Sequence, residues 1–440
     1  MTVIFGQRPT AKGPAALRAL AAGSVGNFVE WYEFGVYGYL ATVIAARFFT
    51  PAGGGEAEAL VRTYASFALA FFFRPVGAAV FGRLGDRMGR RPVLILVIVL
   101  MTGATTLIGA LPTYATAGAV APWLLTALRV VQGLSAGGEF GGAVAVLTES
   151  APPGRRGLYG AWQSFTVALG LLAGAGGAAG LGVLLTEDQL YGWGWRLPFL
   201  LTLPMGLAAL GLRLRLDETP ACVREAAAVR PPPREVAGAI ALGAGRVMGW
   251  AAAGYTFLVV LPSYLQSTLD ASFQQALLTT ALANVGFAAT ILPAGALSDR
   301  IGRRAVMLTG ALLVVVLALP LLNLLQDQAT SYAAKGAALF GAGAVVGLMA
   351  GPGPAMLAEL FPTTVRHTGL GLAYALSNAV FSGCAGLIIT ETVERTGNVD
   401  IPGYYAAATC AVSVLALAGK PKRDAEEKHG GEKGELSGCG

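Results

Sequence analysis

Long apolar runs alternate with short polar, mostly basic loops along the whole chain, and the runs have membrane-crossing length. A helix needs about 20 apolar residues to cover the hydrocarbon of a bilayer. Twelve such helices are predicted, near 19–45, 59–82, 92–111, 122–148, 157–184, 196–216, 239–266, 274–297, 305–325, 333–357, 369–390 and 402–419. The pattern therefore specifies an all-α membrane protein. It divides into an N-terminal segment (1–18), a six-helix bundle (19–216), a charged linker (217–238) carrying Pro231-Pro232-Pro233, a second six-helix bundle (239–419) and a polar tail (420–440) expected to be disordered.

The two bundles echo each other. Gly82 to Arg91 reads Gly-Arg-Leu-Gly-Asp-Arg-Met-Gly-Arg-Arg, and Gly295 to Arg304 reads Gly-Ala-Leu-Ser-Asp-Arg-Ile-Gly-Arg-Arg, 213 residues later. Glu149, Pro152 and Arg156 recur as Glu359, Pro362 and Arg366, at an offset of 210. Two independent matches at nearly one offset imply a duplicated six-helix unit.

Composition sharpens the class. Hydrophobic residues make up 55% and charged residues 13%, far from a soluble domain. The net charge of +6 is spread over short loops and is no nucleic-acid signal. Of the 31 Lys and Arg residues, Arg47, Arg62, Arg196, Lys335 and Arg395 fall on one side, Arg74 and Arg129 inside helices, and the other 24 on the side of the N-terminus. The positive-inside rule then puts both termini in the cytoplasm. No cleavable signal peptide is expected, because the basic N-terminus runs into an apolar stretch too long for one. Cys222, Cys384, Cys410 and Cys439 lack metal-ligand spacing and read as free thiols, so no metal and no cofactor is expected. Arginine outnumbers lysine 25 to 6 beside abundant Ala and Gly, which suits a GC-rich bacterial genome.

Ionisable groups within the apolar runs cost about 2.5–3.5 kcal/mol each on insertion scales and so ask for a reason. In the first helix, Asn27, Glu30, Phe34 and Tyr37 share one face, with Glu33 beside it. Glu30 and Glu33 lie about 15–20 Å in from the cytoplasmic end, near the midplane. Arg74 sits at similar depth in the second helix, next to Pro75, which frees a backbone carbonyl. A guanidinium keeps its proton, so Arg74 must face a carboxylate of the first helix, a substrate carboxylate, or each in turn. The fourth helix carries Arg129, Gln132 and, deeper, Glu139; Arg129 lies near enough to the outer end to snorkel. The second bundle offers only uncharged polar groups for a site, among them Tyr255, Asn284, Tyr374 and Asn378, so charge handling belongs to the first. Histidine occurs only as His367 and His429, and no nucleophile–base pair shares a depth, which counts against an enzyme.

The repeated ten-residue motif resembles the cytoplasmic loop signature of the major facilitator superfamily. Gly26-Asn27…Glu30-Trp31-Tyr32…Phe34…Tyr37-Gly38, Phe73-Arg74-Pro75-Val76-Gly77, Arg129…Gln132-Gly133…Gly137-Gly138-Glu139 and Trp193-Gly194-Trp195-Arg196-Leu197-Pro198-Phe199 are similar to its metabolite:proton symporter family. The resemblance spans Ser24 to about Leu415 and implies alternating access between two halves. Members of that family import small organic acids or zwitterions, and Glu33 stands where the family usually has aspartate.

The expected function is thus proton-coupled import of a small carboxylate by a monomer in the bacterial inner membrane. Arg74, Tyr37, Asn27, Arg129, Gln132, Tyr374 and Asn378 are the substrate-binding candidates, and Glu30, Glu33 and Glu139 the proton-coupling ones. Asp86, Arg87, Arg90, Arg91, Asp299, Arg300, Arg303 and Arg304 are the gating candidates, expected to pair across the halves when the protein faces outward. A proton-coupled exporter, a carrier of zwitterionic compatible solutes and a non-transporting sensor are the alternatives. The absence of a proline in 157–184 counts against an exporter, and the short tail without heptads against an osmolyte carrier.

Overall fold

The computed structural model describes residues 14–50, 55–88, 90–137, 139–149, 151–214, 231–362 and 365–419. Side chains are described within these except at 14–22, 82, 83, 85–88, 90, 91, 139, 142, 146 and 367. In lipid, backbone N–H and C=O groups find no water, so each apolar run closes its own hydrogen bonds as a helix. In chain order the helices are α1 (Pro14–Tyr39), α2 (Glu56–Met88), α3 (Arg90–Ala110), α4 (Val120–Ala136 and Glu139–Glu149), α5 (Arg156–Leu184) and α6 (Glu187–Leu214). The second half supplies α7 (Pro233–Leu269), α8 (Phe273–Ile301), α9 (Arg303–Gln326), α10 (Tyr332–Leu360), α11 (Arg366–Ser377 and Ala385–Thr396) and α12 (Ile401–Ala418). Ten of these are long and apolar enough to cross a membrane by length and composition, and α1 and α4 complete twelve. The fold is two pseudo-symmetric six-helix halves.

Two of the boundaries that differ from the sequence reading have evident local reasons. Helix α7 starts at Pro233, inside the expected linker, because proline is preorganised for the first helical turn, where its missing N–H costs nothing. Helix α6 starts earlier too, where Thr186 and Gln189 form a capping box. Residues 1–13 and the tail from 420 lie outside the described residues, as do Cys222, Cys439 and most of the linker.

The duplication shows in packing that the loop motif does not reach. The helical continuation after α1 (Ala41–Phe49) and helix α7 both carry a wide π-type turn, Ala45–Phe49 and Thr256–Val260, at an offset of 211. A Cβ on Gly133 of α4 would intrude on the Ala70 carbonyl of α2, and one on Gly343 of α10 on the Ala283 carbonyl of α8, the same contact one repeat later. Gly137 likewise touches the Arg74 carbonyl and Gly347 the Phe287 carbonyl. Only glycine lets these backbones meet. Gly133→Leu is therefore expected to push α2 from α4 and abolish a monodisperse peak in size-exclusion chromatography. Gly103→Leu on α3 meets open space and should keep it.

The outward surface exposes Trp123, Leu184, Leu207, Val316 and Leu415, the apolar belt that faces lipid. Between the halves, α5 runs along α8 and α2 packs on the wide turn of α11. Contacts close the interface at both ends. On the side of the repeated motif, the Asp299 carboxylate accepts from Gly157 N (2.8 Å) and Leu158 N (3.0 Å), Arg366 pairs with Glu149 (2.9 Å), and Ser164 Oγ donates to the Ala350 carbonyl (2.8 Å). On the far side, the Tyr64 and Ser263 hydroxyls share a hydrogen bond (2.6 Å) and Thr42 donates to Gln266 (3.1 Å). The arrangement is occluded.

Candidate substrate and proton site

Midway along α2, Arg74 turns inward and its Nη2 donates to Glu30 Oε1 of α1 at 3.0 Å. Both residues are nearly inaccessible, at 4% and 5% exposure, so each charge depends on the other. Aromatic rings wrap the guanidinium, with Phe34 at 4.4 Å, Phe71 at 4.5 Å and Trp31 at 5.4 Å from their centroids. The face of an aromatic ring is negative and offsets part of the desolvation. Helix α1 supplies Glu30 and Trp31 from adjacent positions, and Gly137 lets α4 approach behind Arg74.

The pair borders a cavity enclosed between the halves. Asn27, Gln163, Phe140 and Tyr374 complete its polar and aromatic lining, and it has room for roughly one water molecule. A second cavity lies next to it, lined by Trp250, Tyr255, Asn378 and Ser382 among apolar residues of α5 and α7. Trp31 and Tyr374 line both cavities and so form the partition. Tyr374 stacks on Phe140 with centroids 3.5 Å apart, and Trp250 and Tyr255 stand 5.8 Å from Tyr374 and 6.2 Å from Trp31 respectively. The wide turn Asn378–Gly383 of α11 aims Asn378 and Ser382 at this space, and the Ser382 hydroxyl donates to Asn378 Oδ1 (2.9 Å). Among the described residues, neither cavity is lined by a cation other than Arg74.

A second charged cluster sits between α1, α3 and α4. Glu33 is fully buried, and its Oε2 accepts from the Thr105 hydroxyl at 2.8 Å. Gln132 Nε2 donates to that hydroxyl at 2.5 Å, and Gln132 Oε1 accepts from Arg129 Nη1 at 2.7 Å. Arg129 is fully buried too, with its guanidinium over Tyr37 (4.2 Å), Phe67 (4.8 Å) and Phe34 (5.0 Å). It does not reach outward, so snorkelling is excluded.

The substrate-binding candidates thus separate. Arg74, Asn27 and Tyr374 line the first cavity, and Tyr374 and Asn378 the second. Asn27 is also spent on packing, since its amide donates to Gln163 O (3.1 Å) and Thr166 Oγ1 (2.6 Å) of α5. Tyr37, Arg129 and Gln132 line neither cavity and belong to the Glu33 cluster, because Tyr37 turns to α2, Arg129 lies over rings of α1 and α2, and Gln132 meets Thr105 of α3. The Tyr37 hydroxyl is held by Ser66 (2.5 Å). Sequence reasoning passed over Trp250, Gln163, Phe140 and Thr105. Asn284 donates to the Leu258 and Thr280 carbonyls and lines no cavity.

In this closed arrangement the gate residues take other partners than those expected when the protein faces outward. Asp299 crosses to the other half, but it caps backbone amides at the start of α5 instead of meeting an arginine there. Arg303 pairs with Asp299 (2.8 Å) and Glu359 (3.3 Å) of its own half, and Arg304 donates to the Leu417 and Gly419 carbonyls at the end of α12. A helix end holds up to four carbonyls without internal donors, and these outcompete a distant carboxylate. Arg300 is exposed. Among the described residues, the ion pair that crosses between the halves is Glu149–Arg366, drawn from the shorter sequence echo. Asp86, Arg87, Arg90, Arg91 and Glu139 have side chains outside the described residues.

Comparison with known proteins agrees with this architecture. Residues 19–229 match the family model described as "Sugar (and other) transporter", and residues 242–437 the one described as "Major Facilitator Superfamily". A citrate-proton symporter of Klebsiella pneumoniae is 34% identical over 421 residues, covering 94% of this chain and 94% of the relative. A proline/betaine transporter of Escherichia coli (strain K12) is 32% identical over 416 residues, covering 90% of this chain and 82% of the relative. Among solved structures, a D-xylose-proton symporter superposes with a TM-score of 0.74 at 19% identity, over 92% of this chain and 96% of that one.

Proposed function

Because the chain belongs to the major facilitator superfamily, and within it to the metabolite:proton symporter family of transporters, we propose that it imports a small carboxylate-bearing solute together with protons. The observation that carries this is the Glu30–Arg74 pair, buried at a cavity between halves that are closed at both ends. A solute carboxylate takes the place of Glu30 on the Arg74 fork, since guanidinium matches a carboxylate with two parallel donors. The rest of the solute displaces the Trp31–Tyr374 partition and occupies the second cavity. Rocking of the halves then breaks one set of closing contacts at a time. Glu33, held apart from the solute, carries the proton.

A second reading concerns the solute's body. Among the described residues, the second cavity presents Trp31, Trp250, Tyr255 and Tyr374 and no cation, so a second or third carboxylate would be left unpaired there, whereas the rings suit an ammonium group. This supports a zwitterion over a tricarboxylate. Both named relatives handle solutes with a carboxylate, which is the chemistry Arg74 addresses. Counterflow in proteoliposomes, competed with proline, betaine and citrate, tests both readings. Inhibition by none of these or by other small acids defeats the carboxylate reading, and inhibition by citrate alone defeats the zwitterion.

The distribution of the basic residues supports a cytoplasmic position for both termini. Reporter fusions after Gly419 should read inside and one near Thr116 outside. An outside signal from the former would reverse the direction assigned to every segment.

A further inference from the structure

The Thr105 hydroxyl has a single proton and three neighbours within hydrogen-bond distance. It lies 2.8 Å from Glu33 Oε2 and 3.0 Å from the Met101 carbonyl, both acceptors, while Gln132 Nε2 donates to it from 2.5 Å. The orientation of Gln132 is fixed, because its other end faces Arg129, which has donors only. The hydroxyl therefore always receives from Gln132, and its own proton has a choice of two acceptors. With Glu33 ionised, the proton goes to the carboxylate, and the donors of Arg129, Gln132 and Thr105 all point towards it in series. With Glu33 protonated, the carboxylic acid donates to the free lone pair of Thr105, and the Thr105 proton turns to Met101 O. Glu33 Oε2, the Thr105 hydroxyl and the Gln132 amide keep their partners in both states, at the cost of one hydroxyl rotation.

We infer that Thr105 is the positioning residue for the transported proton: a hydroxyl on α3 that donates to Glu33 when the site is unloaded and accepts from it when loaded. The inference rests on the reading that Glu33 carries the proton. Among the described residues, the titratable and charged groups around this spot are few. Glu30, Tyr32 and Tyr37 lie on the same helix, Arg129 faces Glu33 from α4, and Arg74 of α2 and Tyr255 of α7 stand on the far side of Arg129. Helices α3, α5 and α6 carry ionisable side chains only near their ends. Thr105, Gln132 and Arg129 are each at most 1% exposed, so bulk water does not substitute for the hydroxyl.

The test is the pH profile of gradient-driven uptake by the purified protein in proteoliposomes, with Glu33→Gln as reference. Thr105→Val keeps the shape and removes the donor to the ionised carboxylate. The anion loses stabilisation, the proton is held more tightly, and the midpoint of the profile moves to higher pH by about one unit, a tenfold change in proton affinity. Thr105→Ser should restore the wild-type midpoint, and Thr105→Cys, whose thiol donates weakly, should fall between. Should Thr105→Val fail to insert, the Cys and Ser variants carry the same comparison. A merely structural threonine would lower the amount or rate of transport and leave the midpoint in place. Unmoved midpoints in the Val and Cys variants overturn the proposal. Acid-driven accumulation surviving in Glu33→Gln overturns the proton-carrier reading instead, so the two failures are distinguishable.

Discussion

Arg74→Lys is expected to insert and fold while holding the solute about 100-fold more weakly, and Arg74→Ala to lose binding altogether. Hydrogen bonds to charged groups contribute about 1.5–3 kcal/mol each, and a lysine ammonium reproduces at most one arm of the arginine fork. One lost arm is therefore worth about 10- to 150-fold in affinity. Arg74→Ala has a second effect, since it leaves Glu30 buried without its guanidinium, and breaking a buried pair costs about 3–5 kcal/mol. Loss of binding by Arg74→Ala alone is thus ambiguous. The decisive variant is the double change Arg74→Gln with Glu30→Gln, because Glu30 is the carboxylate that Arg74 touches. It removes both charges and should recover folding. If Arg74 only neutralised Glu30, binding would return with it. Calorimetry on the wild type, Arg74→Lys and the double variant decides: binding by the double at wild-type strength rules out the anchor role, and a folded double that does not bind supports it.

The sequence made the repeat legible because loop motifs are strings, and the offset of 213 between Gly82 and Gly295 needs no coordinates. The same holds for the midplane charges, which stand out against an apolar background. What stayed hidden depends on helix rotation. Glu30 and Glu33 are three residues apart on one helix, yet one turns to α2 and the second half, the other to α3 and α4. Periodicity does not say which neighbour waits on which face. Arg129 and Gln132 were therefore grouped with Arg74, although they serve Glu33. Thr105 was invisible for a different reason. A threonine in an apolar run ordinarily bonds its own helix carbonyl, as Thr105 also does with Met101. Only the carboxylate of Glu33, brought up from 72 residues earlier in the chain, gives its hydroxyl a second use. Trp250 and Gln163 belong with it, being ordinary membrane residues until the halves close around them.

Glu33→Gln is expected to abolish accumulation against a gradient while leaving solute exchange in place. A buried carboxylate must be either offset by its surroundings or protonated. Glu30 has the first option through Arg74. Glu33 has a weaker version of it, with Thr105 on Oε2 and no hydrogen-bond partner for Oε1 among the described residues. The balance between its two states is thus close enough to be tipped from outside. Solute arrival supplies the tilt: a carboxylate on Arg74 displaces Glu30, whose freed negative charge lies one helical turn from Glu33 and favours the protonated form there. Proton and solute then occupy the occluded state together, which is the condition for coupling. Glutamine mimics the protonated side chain permanently. The variant can still occlude the solute and release it on either side, so it equilibrates label between equal pools but stores no energy from a pH gradient. The measurement is labelled-solute uptake into proteoliposomes under an imposed inward proton gradient, set beside counterflow without one. Concentrative uptake by Glu33→Gln at the wild-type level would remove Glu33 from the coupling path, and its loss in Glu30→Gln instead would move the proton to the neighbouring carboxylate.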